Sequence, residues 1–256
     1  VLEQAAIKKA LPKQAIEKDL RVTTILQIVF SLPCAENLVF KGGTSLSKVW
    51  GLINRFSEDI DLTIDRSVFE LDGDLTKKQV KKLRKSSSIF VRDELYSQLV
   101  EAVDQTLLKG KCQIEAEPDG EGDATYPEPR SIFVRYQSVF EDQLAYVPPI
   151  VKIEAGARSL LEPYDEAQLH SMVEEALPTI STTQVDVAMK TAIAEKTFLE
   201  KAFLLHELFS VNKHVDAKRR SRHIYDLHMM MKRGVVDKAI VNDELWQTIL
   251  HHRSTL

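Results

Sequence analysis

Two aspartates set two residues apart, Asp59 and Asp61, lie on a segment, DIDLTID, in which polar and apolar residues alternate. That alternation has a strand's period, so Asp59, Asp61 and Thr63 share one face while Ile60, Leu62 and Ile64 share the other. With a rise of roughly 3.3 Å per residue, the two aspartate Cα atoms sit roughly 6–7 Å apart. Both carboxylates then reach one or two hard divalent cations, which take oxygen ligands. Like charges on one face repel, so compensation by Mg²⁺, Mn²⁺ or a basic side chain is expected. Upstream stands Gly42-Gly43-Thr44-Ser45. The glycines let the backbone turn sharply and approach a ligand, and Thr44 or Ser45 is expected to cap the helix that follows. Unpaired N–H groups at such a helix start suit phosphate oxygens.

Other phosphate and metal chemistries lack their residues. A P-loop opening at Gly42 would need glycine at Ser47 and a hydroxyl at Val49, and no G-x-G-x-x-G is present. His223 and His228 are five apart and no H-E-x-x-H occurs, so a zinc hydrolase has no support. Asp-x-Asp alone is common on exposed strand edges, and it is the preceding glycine–hydroxyl turn that lends it weight.

The elements that must position these groups follow from the apolar pattern. Leu38, Val39 and Phe40 make a short strand into the glycine turn, and Leu46, Val49, Trp50 and Ile53 recur at helical spacing after it. Residues 4–31 and 75–108 are expected to be helical, the first broken at Pro12. Glu17-Lys18-Asp19 is expected as a capping cluster at a helix start. Residues 112–116 and 132–136 form an expected hairpin, and IVKIEAGAR from Ile150 is a further strand with Glu154 near its end. From about Val187 the pattern is helical with little interruption.

Composition bounds the rest. A chain of 256 residues, 44% hydrophobic and without an apolar run of about 18, makes one elaborate domain or two small ones and no membrane span. No signal peptide pattern is visible, and two cysteines without metal-ligand spacing fit a reducing, cytoplasmic setting. The chain begins at Val1 rather than Met, and the natural protein is expected to extend past both ends. The net charge of −4 argues against an overall basic nucleic-acid binder, yet basic residues cluster at Lys77, Lys78, Lys81, Lys82, Arg84 and Lys85, and at Lys213, Lys218, Arg219, Arg220 and Arg222. Such runs are usually solvated faces.

A glycine–hydroxyl turn, a connecting helix and Asp-x-Asp on an apolar strand resemble the DNA polymerase β-like nucleotidyltransferase superfamily. More narrowly, IEKDLRVTTIL, VFKGGTSLSKVWGLINRFSEDIDL, IVKIEAGARS, EKTFLEKAF and RRSRHIYDLHMMM resemble, in sequence and in order, the AbiEii/AbiGii nucleotidyltransferase toxin family, from about Ile16 to Leu227. The resemblance implies an α/β (α+β) fold: a mixed sheet flanked by helices over residues 1–186, then a helical domain over 187–256 that completes the active site. It implies the toxin of a bacterial toxin–antitoxin or abortive-infection pair, which transfers a nucleotide from an NTP with Mg²⁺ or Mn²⁺ and releases pyrophosphate. The expected acceptor is RNA at the tRNA 3′ end, and the expected partner is a cognate antitoxin. Asp59 and Asp61 would hold metal, with Glu154 as third acid and Glu115 as its rival. The plain alternative for Glu154 is a salt bridge to Arg158. Gly42, Gly43, Thr44, Ser45, Ser57 and Lys196 would face the nucleotide, Asp226 would support the site, and Ser57 matches a modification point. A protein or small-molecule hydroxyl as acceptor, or a non-catalytic nucleotide-binding module, stays open.

Overall fold

In a computed structural model, residues 1–122, 125–142, 144–182, 187–210 and 217–255 are described, the side chains of 217–219 excepted. Lys213, the side chains of Lys218 and Arg219, and Asp186 at the expected domain boundary therefore lie outside the described residues. The order is α1 (Leu2–Lys9), α2 (Lys13–Phe30), β1 (Leu38–Lys41), α3 (Gly42–Lys48), β2 (Ile60–Ile64), α4 (Lys77–Ile89), a π-helical turn (Phe90–Leu95) and α5 (Tyr96–Asp104). Then come β3 (Cys112–Ala116), β4 (Arg130–Tyr136), β5 (Ile150–Gly156), β6 (Tyr164–Ala167), α6 (Met172–Ala176), β7 (Met189–Ala192), α7 (Ala194–Ser210), α8 (Ala217–Lys232), α9 (Val235–Val241) and α10 (Asp243–Thr255).

The seven strands form one mixed sheet in the order β3-β4-β5-β2-β1-β7-β6. β1 and β2 run antiparallel with Lys41 opposite Asp61, and β2 runs parallel to β5 with Asp61 opposite Glu154. Leu38, Val39 and Phe40 are all buried, as suits a central strand covered on both faces. The main core joins α2 (Ile25, Leu26, Val29) to the sheet (Phe40, Leu62, Ile153) and to α5 (Leu99). A second core gathers the C-terminal helices, with Phe198, Leu199, Met230, Leu245 and Ile249, around Leu46 of α3 and Ile53 beyond it. The segment 42–53 thus bridges the sheet and the helical region.

Three expectations change. α3 ends at Lys48, because Gly51 takes φ +59° and the Leu52 N–H turns back to the Leu46 carbonyl at 2.8 Å. Ile53 is still buried and Trp50 half-buried, by tertiary packing rather than by a continued helix. The region after Val187 enters the sheet first, as β7 parallel to β1, before α7 begins. Glu17, Lys18 and Asp19 are buried tertiary ties, not dipole caps. Glu17 accepts from Ser138 and Val139, Lys18 pairs with Glu58 at 3.1 Å, and Asp19 pairs with Lys48 and accepts from the Met172 N–H. No helix among the described residues is long and apolar enough to cross a membrane.

Phe40 is fully enclosed on the strand that delivers the glycine corner. Phe40→Ala is expected to cost about 3–5 kcal/mol in a urea unfolding titration.

Candidate active site

The corner between β1 and α3 explains its own glycines. Gly42 sits at φ +84°, and a Cβ built on it would lie 2.1 Å from Asp61 Oδ2. A Cβ on Gly43 would lie 2.6 Å from Arg55 Nη2 and 2.8 Å from Ser57 Oγ. Bare backbone at both positions is what allows a carboxylate, a guanidinium and a hydroxyl to converge there. The hydroxyls of Thr44 and Ser45 turn away. Thr44 is fully buried and donates to the Asp59 carbonyl at 2.6 Å, with Ser57 Oγ 3.0 Å from the same hydroxyl, and Ser45 donates to the Gly42 carbonyl at 2.9 Å. Neither caps α3, which starts at Gly42 with Lys41 in the capping position and no side-chain bond there.

The corner opens on a cavity of about 730 Å³. Gly42, Gly43, Arg55, Ser57, Asp59 and Asp61 line one wall, Glu154 and Arg158 come from β5 and the turn after it, and Lys201, Arg222 and His252 come from α7, α8 and α10. Burial pushes the Asp61 carboxyl up to about 6; the charge of Lys41 opposes this, while Glu154 and Asp59 push the same way. Glu154 pairs with Lys152 at 2.8 Å, not with Arg158, which stands 3.9 Å from Glu128. Glu115 does not line this cavity; on the edge strand β3 it pairs with Arg135 at 3.3 Å.

Among the described residues no three His, Cys, Asp or Glu side chains stand ready as a metal cage. The donor chemistry nevertheless suits a hard divalent cation. Asp59, Asp61 and Glu154 are all oxygen donors on one wall, and the like charges that raise the Asp61 carboxyl are those a cation would neutralise.

Two expected residues do not line the cavity. The Lys196 ammonium is fully buried and donates to the Leu160 and Leu161 carbonyls, the latter at 2.8 Å, so it pins the chain after β5 and does not line the cavity. Burial lowers its pKa to about 8, against the charge of Glu200. The cation that α7 does present there is Lys201, a little over one turn on. Asp226 is also fully buried and lies behind the wall. Its Oδ1 accepts from Arg55 Nε at 2.7 Å, and its Oδ2 accepts from Arg55 Nη2 at 2.8 Å and pairs with Lys201 at 3.1 Å. Burial alone would raise its carboxyl, but the Arg55 hydrogen bonds and the Lys201 and Arg55 charges outweigh this and hold it low. Asp226 therefore aims two cavity cations from different elements. Arg55 lies inside the RFSEDIDL motif and Lys201 inside EKTFLEKAF, so spacing alone did not separate them from their neighbours.

The family profile described as "Nucleotidyl transferase AbiEii toxin, Type IV TA system" matches residues 25–255. The chain belongs to that family of nucleotidyltransferase toxins. Among solved structures it is similar to MenT4, a nucleotidyltransferase toxin from Mycobacterium tuberculosis H37Rv, with 16% identity and a TM-score of 0.48. That match covers 84% of this chain and 66% of the mycobacterial one, just under two thirds of its length. No curated protein matches the sequence.

Two outcomes follow from the geometry. Gly42→Ala is expected to lose about 1–3 kcal/mol, more than Gly51→Ala, because Gly51 shares the positive φ but has open space around its Cβ position; paired denaturation curves read the difference. His223, 3.4 Å from Lys201, is held down to about 4 by burial and by the Lys201 charge, against Asp226. The unfolded imidazole takes its proton near 6.5, so as pH falls from about 6.5 to 4 the unfolded state binds more protons and stability is lost. His223→Asn is expected to show a smaller drop in Tm between pH 7 and pH 4.5 than the parent chain.

Proposed function

We propose that this chain is a divalent-metal-dependent nucleotidyltransferase that moves a nucleotide from an NTP to the 3′ end of tRNA, releases pyrophosphate, and is held in check by a cognate antitoxin. The observation that carries the reading is the register of Asp61 with Glu154 beside Gly42, on the wall of a cavity that also presents Arg55 and Lys201.

Asp59, Asp61 and Glu154 are assigned to Mg²⁺ or Mn²⁺, which when bound neutralises phosphate oxygens and lowers the pKa of the acceptor hydroxyl. The chain's other groups position the substrate. The Gly42 and Gly43 backbone and the Ser57 hydroxyl meet phosphate oxygens, in place of the Thr44 and Ser45 hydroxyls. Arg55, Lys201 and Lys41 supply positive charge to the triphosphate, where Lys196 had been expected. Phosphoryl chemistry of this kind asks for positioning and charge stabilisation rather than a covalent nucleophile. Asp226 holds Arg55 and Lys201 in place, and Lys196 holds the chain at Leu160 and Leu161. The division into a nucleotidyltransferase domain over 1–186 and a helical domain over 187–256 that completes the site is part of the same proposal; it is supported by the cavity residues of α7, α8 and α10.

The test is to incubate the chain with Mg²⁺, each labelled NTP in turn, total RNA and a cell lysate. Label is expected in RNA and is expected to vanish after RNase treatment, while Asp59→Ala, folded by circular dichroism, transfers none. Full transfer by Asp59→Ala refutes the mechanism, and label that survives RNase in a protein refutes the acceptor.

A further inference from the structure

The strongest charge anomaly lies outside the cavity, on α4. Residues 77–85, KKQVKKLRK, carry five lysines and one arginine with no carboxylate, in a chain of net charge −4. Leu83, Ser87 and Ser88 face inward, while Lys77, Lys78, Lys81, Lys82 and Lys85 are all exposed. At 100° per residue these five fall on one continuous stripe, with i, i+4 neighbours about 6 Å apart along the axis.

No carboxylate among the described residues pairs with them. Among the described residues, Lys77, Lys78, Lys81 and Lys82 make no ion pair, and Lys85 only rests over the Tyr126 ring at 5.4 Å. Like charges at i, i+4 destabilise a helix, and cations in its first turn oppose the dipole. Local stability therefore gives no reason for lysine here; the fold tolerates them with a Thr76–Gln79 capping box and the inward face.

The stripe begins close in sequence to a second cavity. Thr76 caps α4, and the preceding residues Leu71 and Leu75 line that cavity of about 480 Å³ together with Asp65, Asp72 and Asp74 and residues of α10. His252 of α10 lines both this cavity and the catalytic one.

We propose that the α4 lysine stripe is the docking surface for the sugar–phosphate backbone of the RNA acceptor, which holds the RNA while its end reaches the catalytic cavity. The inference rests on RNA being the acceptor. Phosphate contacts of this type fix position without reading sequence, and they release counterions, so binding depends steeply on salt.

The test uses bulk bacterial tRNA and the triple variant K78A/K81A/K82A, none of whose residues belongs to the cavity. Binding to tRNA is expected to weaken by about tenfold or more, and the slope of log affinity against log salt to flatten by about 2. Affinity for the NTP and the Tm are expected to hold, and Lys→Arg at the same positions is expected to restore tRNA binding. Unchanged tRNA affinity and salt slope overturn the docking surface while leaving the RNA acceptor intact. Loss of binding to an anionic protein acceptor with tRNA binding preserved overturns it in favour of a protein partner. If the parent chain transfers nucleotide to no RNA at all, the acceptor reading has failed and the docking surface falls with it.

Discussion

The approach of the Asp61 carboxylate to the Gly42 backbone is the constraint on which the site depends. Any side chain at Gly42 would overlap Asp61, and the Lys41–Asp61 pairing of β1 with β2 sets how near the two come. The same register on the other side of β2 brings Glu154 abreast. β2 turns Ile60, Leu62 and Ile64 to the core and Asp61 to the cavity. It cannot slip by one residue without turning those apolar side chains to the cavity, so hydrophobic packing is what holds the acids at the cavity wall. The burial that secures the strand also makes ionised Asp61 unfavourable, which is a reason for a positively charged ligand there.

The cavity's cations are set in place by an indirect route. Arg55 leaves the irregular segment after α3 and Lys201 leaves α7, and one fully buried carboxylate, Asp226, engages both. A buried ion pair of this kind is a weak argument for stability, because desolvation offsets the attraction. Its value lies in fixing two long side chains that would otherwise be free to rotate. It also ties the helical region to the sheet, so the two faces of the cavity keep their separation.

Much of this was legible in the sequence because it rests on short-range pattern. Period-two alternation located Asp59, Asp61 and Glu154, and the glycine pair announced a close backbone approach before it was known that Asp61, Arg55 and Ser57 make it. What was hidden depends on tertiary neighbours. A lysine on a helix turns to whichever acceptor lies nearer, so spacing could not tell Lys196, taken up by two carbonyls, from Lys201, which lines the cavity. Thr44 and Ser45 sit beside backbone carbonyls that satisfy their hydroxyls first. The acids and lysine of Glu17-Lys18-Asp19 matched a capping pattern because their partners, Ser138, Glu58 and Lys48, are remote in sequence. The early end of α3 was marked only by Gly51, whose positive φ the apolar spacing of Trp50 and Ile53 concealed.

The most direct test of the central claim is a Mn²⁺ titration followed by electron paramagnetic resonance, with and without a non-hydrolysable NTP, on the parent chain and on Asp61→Asn. The account predicts saturable Mn²⁺ binding that tightens with the nucleotide in the parent chain and is lost or greatly weakened in the folded variant. Equal Mn²⁺ affinity in the two chains would contradict it.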